Sequence, residues 1–214
     1  SRKLRCFTPE LLHSKLHHIS IGISCFADAA RLFCIITILM YSPWLSHVPL
    51  APAARPYRSW LCEKNSLTQR WQKASGAFHV TPVRQALLLP FNDEQHLLHT
   101  PPRQRAWVRD VVLHCGKTPV AFAHTVAPVL PRGPVAHWWQ KLGSRSLGTL
   151  LFSHPGFIRQ KVEYAAIDAR HPLHGSIYFS SVATQRYWAR RTLFSFGLQR
   201  VLLTEVFLPA VLAF

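Results

Sequence analysis

Acidic side chains are scarce in this 214-residue chain, nine Asp and Glu against 25 Lys and Arg, so each one needs a reason. Glu205 stands inside Val201-Leu202-Leu203-Thr204-Glu205-Val206-Phe207-Leu208, where nearly every neighbour is apolar. Strand alternation puts it on one face with Val201, Leu203 and Phe207. A lone carboxylate on an apolar face is costly unless it is paired, hydrogen-bonded or protonated. It is therefore either half of a Glu–Arg pair, with Arg190 or Arg191 on the preceding strand, or a group that exchanges protons. Arg109, in Trp107-Val108-Arg109-Asp110-Val111-Val112-Leu113, offers complementary chemistry. Its guanidinium fork can grip a carboxylate bidentately, which a lysine cannot. From alternation alone, it reads first as a surface arginine on a strand face.

The other reactive side chains point to nothing so definite. His96 and His99, and His171 and His174, have i,i+3 spacing, but no carboxylate or cysteine supports a metal site, and they read as loop or surface histidines. The five cysteines, Cys6, Cys25, Cys34, Cys62 and Cys115, are odd in number and form no CxxC pair. Free thiols in a reducing cytoplasm are the expectation.

The elements that must position these residues follow from period and punctuation. Trp60, Leu61, Leu67 and Trp71 recur at helical intervals, giving two short helices around a turn at Lys64-Asn65-Ser66, with Ser66 as N-cap. The stretch before them, Pro52 to Pro56, is irregular. His79 to Leu89 suits an edge strand because Pro82 interrupts it. Arg105 to Cys115 alternates, with Trp107, Arg109, Val111 and Leu113 on one face and Val108, Asp110 and Val112 on the other. Gly116-Lys117 then makes a hairpin with Thr118 to Val129. Pro134 to Phe152 reads as two helical pieces split at Gly143. Phe157 to Ala166, Trp188 to Phe196 and Arg200 to Leu208 are strands, and Arg170 to Tyr187 is loop. Strands follow one another without βαβ alternation, so the fold class is α+β on a single antiparallel sheet.

The first 39 residues look unlike the rest. Ile19 to Tyr41 is apolar, but Asp28 and Arg31 break it, and the run from Leu32 to Tyr41 is about half the roughly 20 residues of a spanning helix. Met40 is the single methionine. The expectation is that residues 1–39 are an extension outside the native domain, which occupies 40–214. That domain still holds 20 basic and 7 acidic residues, so the basic character belongs to it.

Five segments, taken in order, carry a resemblance. They are Ser66-Leu67-Thr68-Gln69-Arg70, Trp107 to Leu113, and Lys141-Leu142-Gly143-Ser144-Arg145-Ser146-Leu147-Gly148 followed by Leu151-Phe152. Trp188-Ala189-Arg190-Arg191 and Leu202-Leu203-Thr204-Glu205-Val206-Phe207-Leu208-Pro209 complete the set. Each alone is weak. Together, in this order and spacing, they resemble the chorismate pyruvate-lyase family from roughly Trp60 to Pro209. The resemblance implies a cofactor-free enzyme that turns chorismate into 4-hydroxybenzoate and pyruvate, the first committed step of ubiquinone biosynthesis. It implies about six antiparallel strands and an internal ligand pocket under two helix-turn-helix flaps, here around Leu67 and Leu147. By motif match, substrate contacts fall on Leu67, Arg109, Leu147 and Glu205, with Arg109 and Glu205 catalytic and no metal. Leu67 stands where relatives often carry methionine, an apolar swap, and His124 where some carry arginine.

In that reading Arg109 holds the ring carboxylate between apolar walls from Trp107 and Val111. Glu205 meets the ring hydroxyl and takes part in proton transfer, while Leu67 and Leu147 close over the ring and exclude water. So closed a pocket makes product release slow. Arg190 and Arg191 point to opposite faces, one able to reach the substrate's side-chain carboxylate and the other a solvated charge. The implied partner is chorismate alone, with a monomeric chain, no nucleic acid and no stable membrane insertion. The alternative from another class is a basic nucleic-acid-binding protein without enzymatic activity. The net charge of +16 and 25 aromatic residues favour it, whereas the dispersed cations and the lack of a DNA-binding helix-turn-helix, zinc-finger or RRM-type signature do not.

Overall fold

The computed structural model describes residues 43–127, 133–177 and 185–214. These belong to one compact unit, Pro43–Phe214. The expectations for residues 1–39 and for the apolar stretch at 19–41 lie outside the described residues.

A short 3-10 turn, Pro52–Tyr57, leads into α1 (Arg58–Leu61) and α2 (Leu67–Ser75). Ser66 caps α2 by accepting a hydrogen bond from the Gln69 amide at 3.5 Å. Leu67 and Trp71, four apart, form its buried stripe, and Trp71 stacks between Trp60 and Phe78. The edge strand β1 (Phe78–Leu88) follows, with its register shifted between Pro82 and Arg84. A proline without an N–H is tolerated at such an edge bulge. Next come α3 (Asn92–Leu98), β2 (Ala106–Cys115) and β3 (Thr118–Ala127). Two short helices, α4 (Pro134–Lys141) and α5 (Leu147–Ser153), make the second helical pair. The chain ends in β4 (Ile158–Ile167), a 3-10 turn at Pro172–Ser176, β5 (Tyr187–Phe196), β6 (Gln199–Phe207) and a last 3-10 turn, Pro209–Ala213.

The six strands form one antiparallel sheet in the order β1-β2-β3-β6-β5-β4. The β2–β3 and β5–β6 hairpins are two-residue loops whose first residue, Gly116 at φ 59° or Gly197 at φ 55°, takes the positive dihedral. A side chain would strain that conformation, which is why glycine stands there.

Both faces of the sheet are covered. Over one face the helical pairs pack Trp60, Leu67, Trp71, Trp139, Leu142 and Leu151 against Val111, Leu113, Ala121, Leu203 and Phe207. Over the other lie Trp44, Leu173 and Ile177, against Val112, Phe122, Ala189 and Val206.

The structure adds what the period analysis left as connection. Helix α3 is short and largely polar, without an apolar stripe to signal it. Its mark in the sequence is Glu94, whose carboxylate accepts from the Phe91 amide at 2.9 Å and closes the first turn. His96 is therefore helical and exposed. Part of the expected loop from Arg170 to Tyr187 is the turn at Pro172–Ser176, and residues 178–184 of it lie outside the described residues, as do the last two positions of the strand expected to run to Val129.

Candidate active site

Alternation along β2 turns Arg109, Val111 and Leu113 toward the helical pairs, and alternation along β6 turns Leu203 and Glu205 to the same side. Cross-strand register aligns Arg109 with Thr125 and Leu203, and Val111 with Ala123 and Glu205. The guanidinium and the carboxylate thus rise from the same face, two strands and one step of register apart. Between them β3 presents only Ala123 and Thr125, and these short side chains leave a trough in the sheet.

The trough is roofed. Arg109, Val111, Leu113, Ala123, Thr125, Leu203 and Glu205 line a cavity of about 10 Å³, closed above by Thr68, Ser146, Leu147 and Gly148. That is room for about one water molecule, so a six-membered ring can enter only if the roof moves. Thr68 at the start of α2 and Ser146 at the start of α5 meet through their hydroxyls at 2.6 Å. This pair joins the two helical flaps over the cavity.

Each flap is also tied to the sheet by an arginine. Arg109 donates through Nη2 to the backbone carbonyls of Gly143 (2.8 Å) and Arg145 (3.1 Å), in the turn between α4 and α5. Its Nε is buried and has no acceptor among the described residues. Burial lowers its pKa to about 10, which still leaves it cationic at neutral pH. Arg190, fully buried on β5 opposite Glu205, donates to Glu205 Oε2 from Nε (3.1 Å) and Nη2 (2.6 Å). Its Nη1 donates to the Glu63 carbonyl, in the turn between α1 and α2. Among the described residues both bonds to Glu205 fall on Oε2, so Oε1 remains available to a ligand.

Several expectations are resolved by this geometry. The Glu–Arg pair exists, with Arg190, and it sits beside the cavity rather than replacing it. Leu147 lines the space. From α2 it is Thr68 that does so, while Leu67 is buried in the core next to it. Val111 is a wall, as expected, whereas Trp107 lies half-buried outside the lining. Thr68 and Ser146 also line the cavity, as the polar members of two flap motifs whose apolar members alone carry the resemblance-based contacts. Arg191 is not a solvated charge. It is buried on the reverse face, bonded to Glu163 at 2.8 Å and to Asp93 at 2.5 Å, with its guanidinium 4.3 Å from the Trp44 ring centroid.

The family model for chorismate lyase matches residues 39–213. The chain belongs to the chorismate lyase family. Among its relatives is a probable chorismate pyruvate-lyase of Dechloromonas aromatica, 46% identical over 154 residues, covering 72% of this chain and 87% of that protein. Proteins of the same description from Methylobacillus flagellatus and Ralstonia nicotianae are each 38% identical, over 81% of this chain and 96% and 92% of theirs. The fold class expected from the order of the elements, α+β on a single antiparallel sheet, is the one observed, and the six strands implied by the lyase resemblance are present.

The reverse face of this lyase-family sheet carries a second polar cluster, centred on His124. Its Nδ1 lies 2.6 Å from Asp110 Oδ1 and its Nε2 3.1 Å from Glu94 Oε1. Burial alone would pull the imidazole pKa down, but Glu94 and Asp110 carry it up to about 10. Burial likewise pushes Asp110 up, yet His124 and Arg84 hold its pKa below the usual value. Asp110 directly follows Arg109, so this cluster clamps the strand that carries the site arginine. Among the described residues no group of three or more His, Cys, Asp or Glu could hold a metal ion, and no helix is long and apolar enough to cross a membrane.

Proposed function

We propose that this protein is a chorismate pyruvate-lyase in which Arg109 and Glu205 act on the ring from opposite ends. The observation that carries the reading is the convergence of these two buried groups on one roofed cavity, in a chain of this family. In the reaction the ring–ether C–O bond breaks and a proton leaves the hydroxyl-bearing ring carbon. The enolpyruvyl methylene gains a proton to become the methyl of pyruvate, and the ring is left aromatic with its hydroxyl in place. Aromatisation drives the step, so the protein's tasks are to orient the dianion, exclude water and assist one proton.

Arg109 is suited to the ring carboxylate, which its Nε can meet with a charge-assisted bond while Nη2 keeps the second flap in place. Glu205, fixed through Oε2 by Arg190, offers Oε1 to the ring hydroxyl and to the proton released near it. Leu147 and Leu67 act through shape, Leu147 as roof and Leu67 by seating the first turn of α2. In this reading the chain works as a cytoplasmic monomer without nucleic acid. Its positive charge draws in a dianion, and its product supplies ubiquinone synthesis.

The test is to give the purified protein chorismate and to follow 4-hydroxybenzoate by absorbance and pyruvate by a coupled dehydrogenase. Equal release of the two products is expected, with the Arg109→Ala variant as control. No turnover, together with a steep salt dependence of DNA or RNA binding, would instead establish the nucleic-acid reading.

A further inference from the structure

Charge does not balance in the cavity for the substrate proposed above. Chorismate brings two carboxylates and Glu205 a third negative charge, against the two guanidinium groups of Arg109 and Arg190. Every nitrogen of Arg190 already donates to the protein, Nε and Nη2 to Glu205 and Nη1 to the Glu63 carbonyl. A third cation stands next to this group. Arg159 on β4 pairs across the sheet with Phe194, and Phe194 lies four residues from Arg190 on the same face of β5.

Arg159 is half-buried and sits where both flaps meet the sheet. Its Nη1 donates to the Lys64 carbonyl at 2.7 Å, in the turn whose Glu63 carbonyl Arg190 holds, and its guanidinium is 5.6 Å from the centroid of Phe152 on the second flap. Among the described residues its buried Nε has no acceptor and no carboxylate lies within ion-pair distance of it. Burial, and then the charge of Arg190, lower its pKa, with Glu205, Tyr164 and Glu63 opposing them.

The sheet order gives the direction. Arg109, Glu205, Arg190 and Arg159 stand on β2, β6, β5 and β4, in that sequence across one face. In chorismate the enolpyruvyl ether is borne by the carbon next to the hydroxyl-bearing one. A ring held by its carboxylate at Arg109 and by its hydroxyl at Glu205 therefore projects the ether carboxylate toward β5 and β4. Strand β4 is roughly 10 Å beyond β6 and Arg159 stands four residues, roughly 13 Å, along the sheet from the level of Glu205, an offset its long side chain closes far enough for its charge to be felt at both Arg190 and Glu205.

We propose that Arg159 binds the enolpyruvyl carboxylate of chorismate and so distinguishes the dianionic substrate from the monoanionic aromatic product. The inference rests on the lyase reading. After the C–O bond breaks, the carboxylate on Arg159 belongs to pyruvate, so Arg159 aids substrate capture without adding to retention of 4-hydroxybenzoate.

The full chain is compared as wild type, Arg159→Met and Arg159→Lys, measuring kcat/KM for chorismate and, by tryptophan fluorescence, the Kd of 4-hydroxybenzoate. Loss of a charge-assisted bond should lower kcat/KM about 10- to 100-fold in Arg159→Met, with product Kd unchanged within about 2-fold and Arg159→Lys intermediate. If Arg159→Met does not fold, Arg159→Lys carries the same comparison with a smaller loss. An unchanged kcat/KM overturns the proposal. So does a parallel loss of product affinity, which would mean that Arg159 only fastens the first flap through Lys64. Failure of the wild-type protein to turn over chorismate defeats the underlying reading instead, so the two failures are distinct.

Discussion

Replacing Thr68 by valine tests whether the roof controls turnover. The substitution keeps the shape of the side chain and removes one hydroxyl from the 2.6 Å contact with Ser146, the side-chain hydrogen bond that joins the two flaps over the cavity. A part-buried neutral hydrogen bond contributes about 1 kcal/mol net, within a range of about 0.5–1.5. If opening the roof breaks this bond before the product can leave, losing it lowers the opening barrier by that amount. Product dissociation should then speed up about 5-fold, with limits of about 2- and 12-fold. Stopped-flow displacement of 4-hydroxybenzoate, followed by tryptophan fluorescence, measures the rate directly. In wild type the same reasoning requires a pre-steady-state burst of product, since the roof over the 10 Å³ cavity must open before a ring can leave. In Thr68→Val the burst shrinks and kcat rises as release ceases to limit. The double variant Thr68→Val/Ser146→Ala should release product about as fast as either single one, because both remove the same bond. Unchanged dissociation in Thr68→Val, or additive effects in the double variant, would refute the clasp.

Three further outcomes follow from the geometry. Arg109→Lys should lose about 100-fold or more in kcat/KM despite its charge, because an ammonium lacks the planar set of donors that holds Gly143 and Arg145 through one nitrogen and can meet the ring carboxylate through another; near-wild-type kinetics would show that charge alone suffices. Glu205→Gln should reduce kcat by about 10²–10⁴-fold while 4-hydroxybenzoate affinity changes only a few-fold, and near-normal turnover would remove Glu205 from proton transfer while leaving it a binding role. On the reverse face, the His124 pKa, raised to about 10, makes a statement about stability. The stabilisation is complete below pH 6.5 and is lost as pH rises toward 10, so the margin of wild type over His124→Gln in urea unfolding should shrink by up to about 1.4 kcal/mol per pH unit. An equal margin at pH 6.5 and pH 9 would contradict this.

Much of the site could be read in the chain because local rules govern it. Alternation alone sets Arg109 opposite in sense to Asp110, and Glu205 with Leu203, whatever the strands pair with. The glycines at Gly116 and Gly197 mark their hairpins because a two-residue loop needs a positive φ, and Ser66 marks a helix start because its hydroxyl reaches back to an amide. Helix α3 escaped because its first turn is held by one polar contact from Glu94, which leaves no hydrophobic period.

Sequence by itself determined the family, the strand faces and the two charged groups worth watching. Tertiary structure decided their company. Register across β3 brings Arg109 and Glu205 to one trough, and pairing with β6 gives Arg190 rather than Arg191 to Glu205. Arg191 instead goes to Glu163 and Asp93, 28 and 98 residues away in the chain. Strand periodicity is a property of neighbouring residues, whereas the partner of a buried charge is chosen among groups from distant segments that must leave water together, and that choice exists only once the sheet has closed.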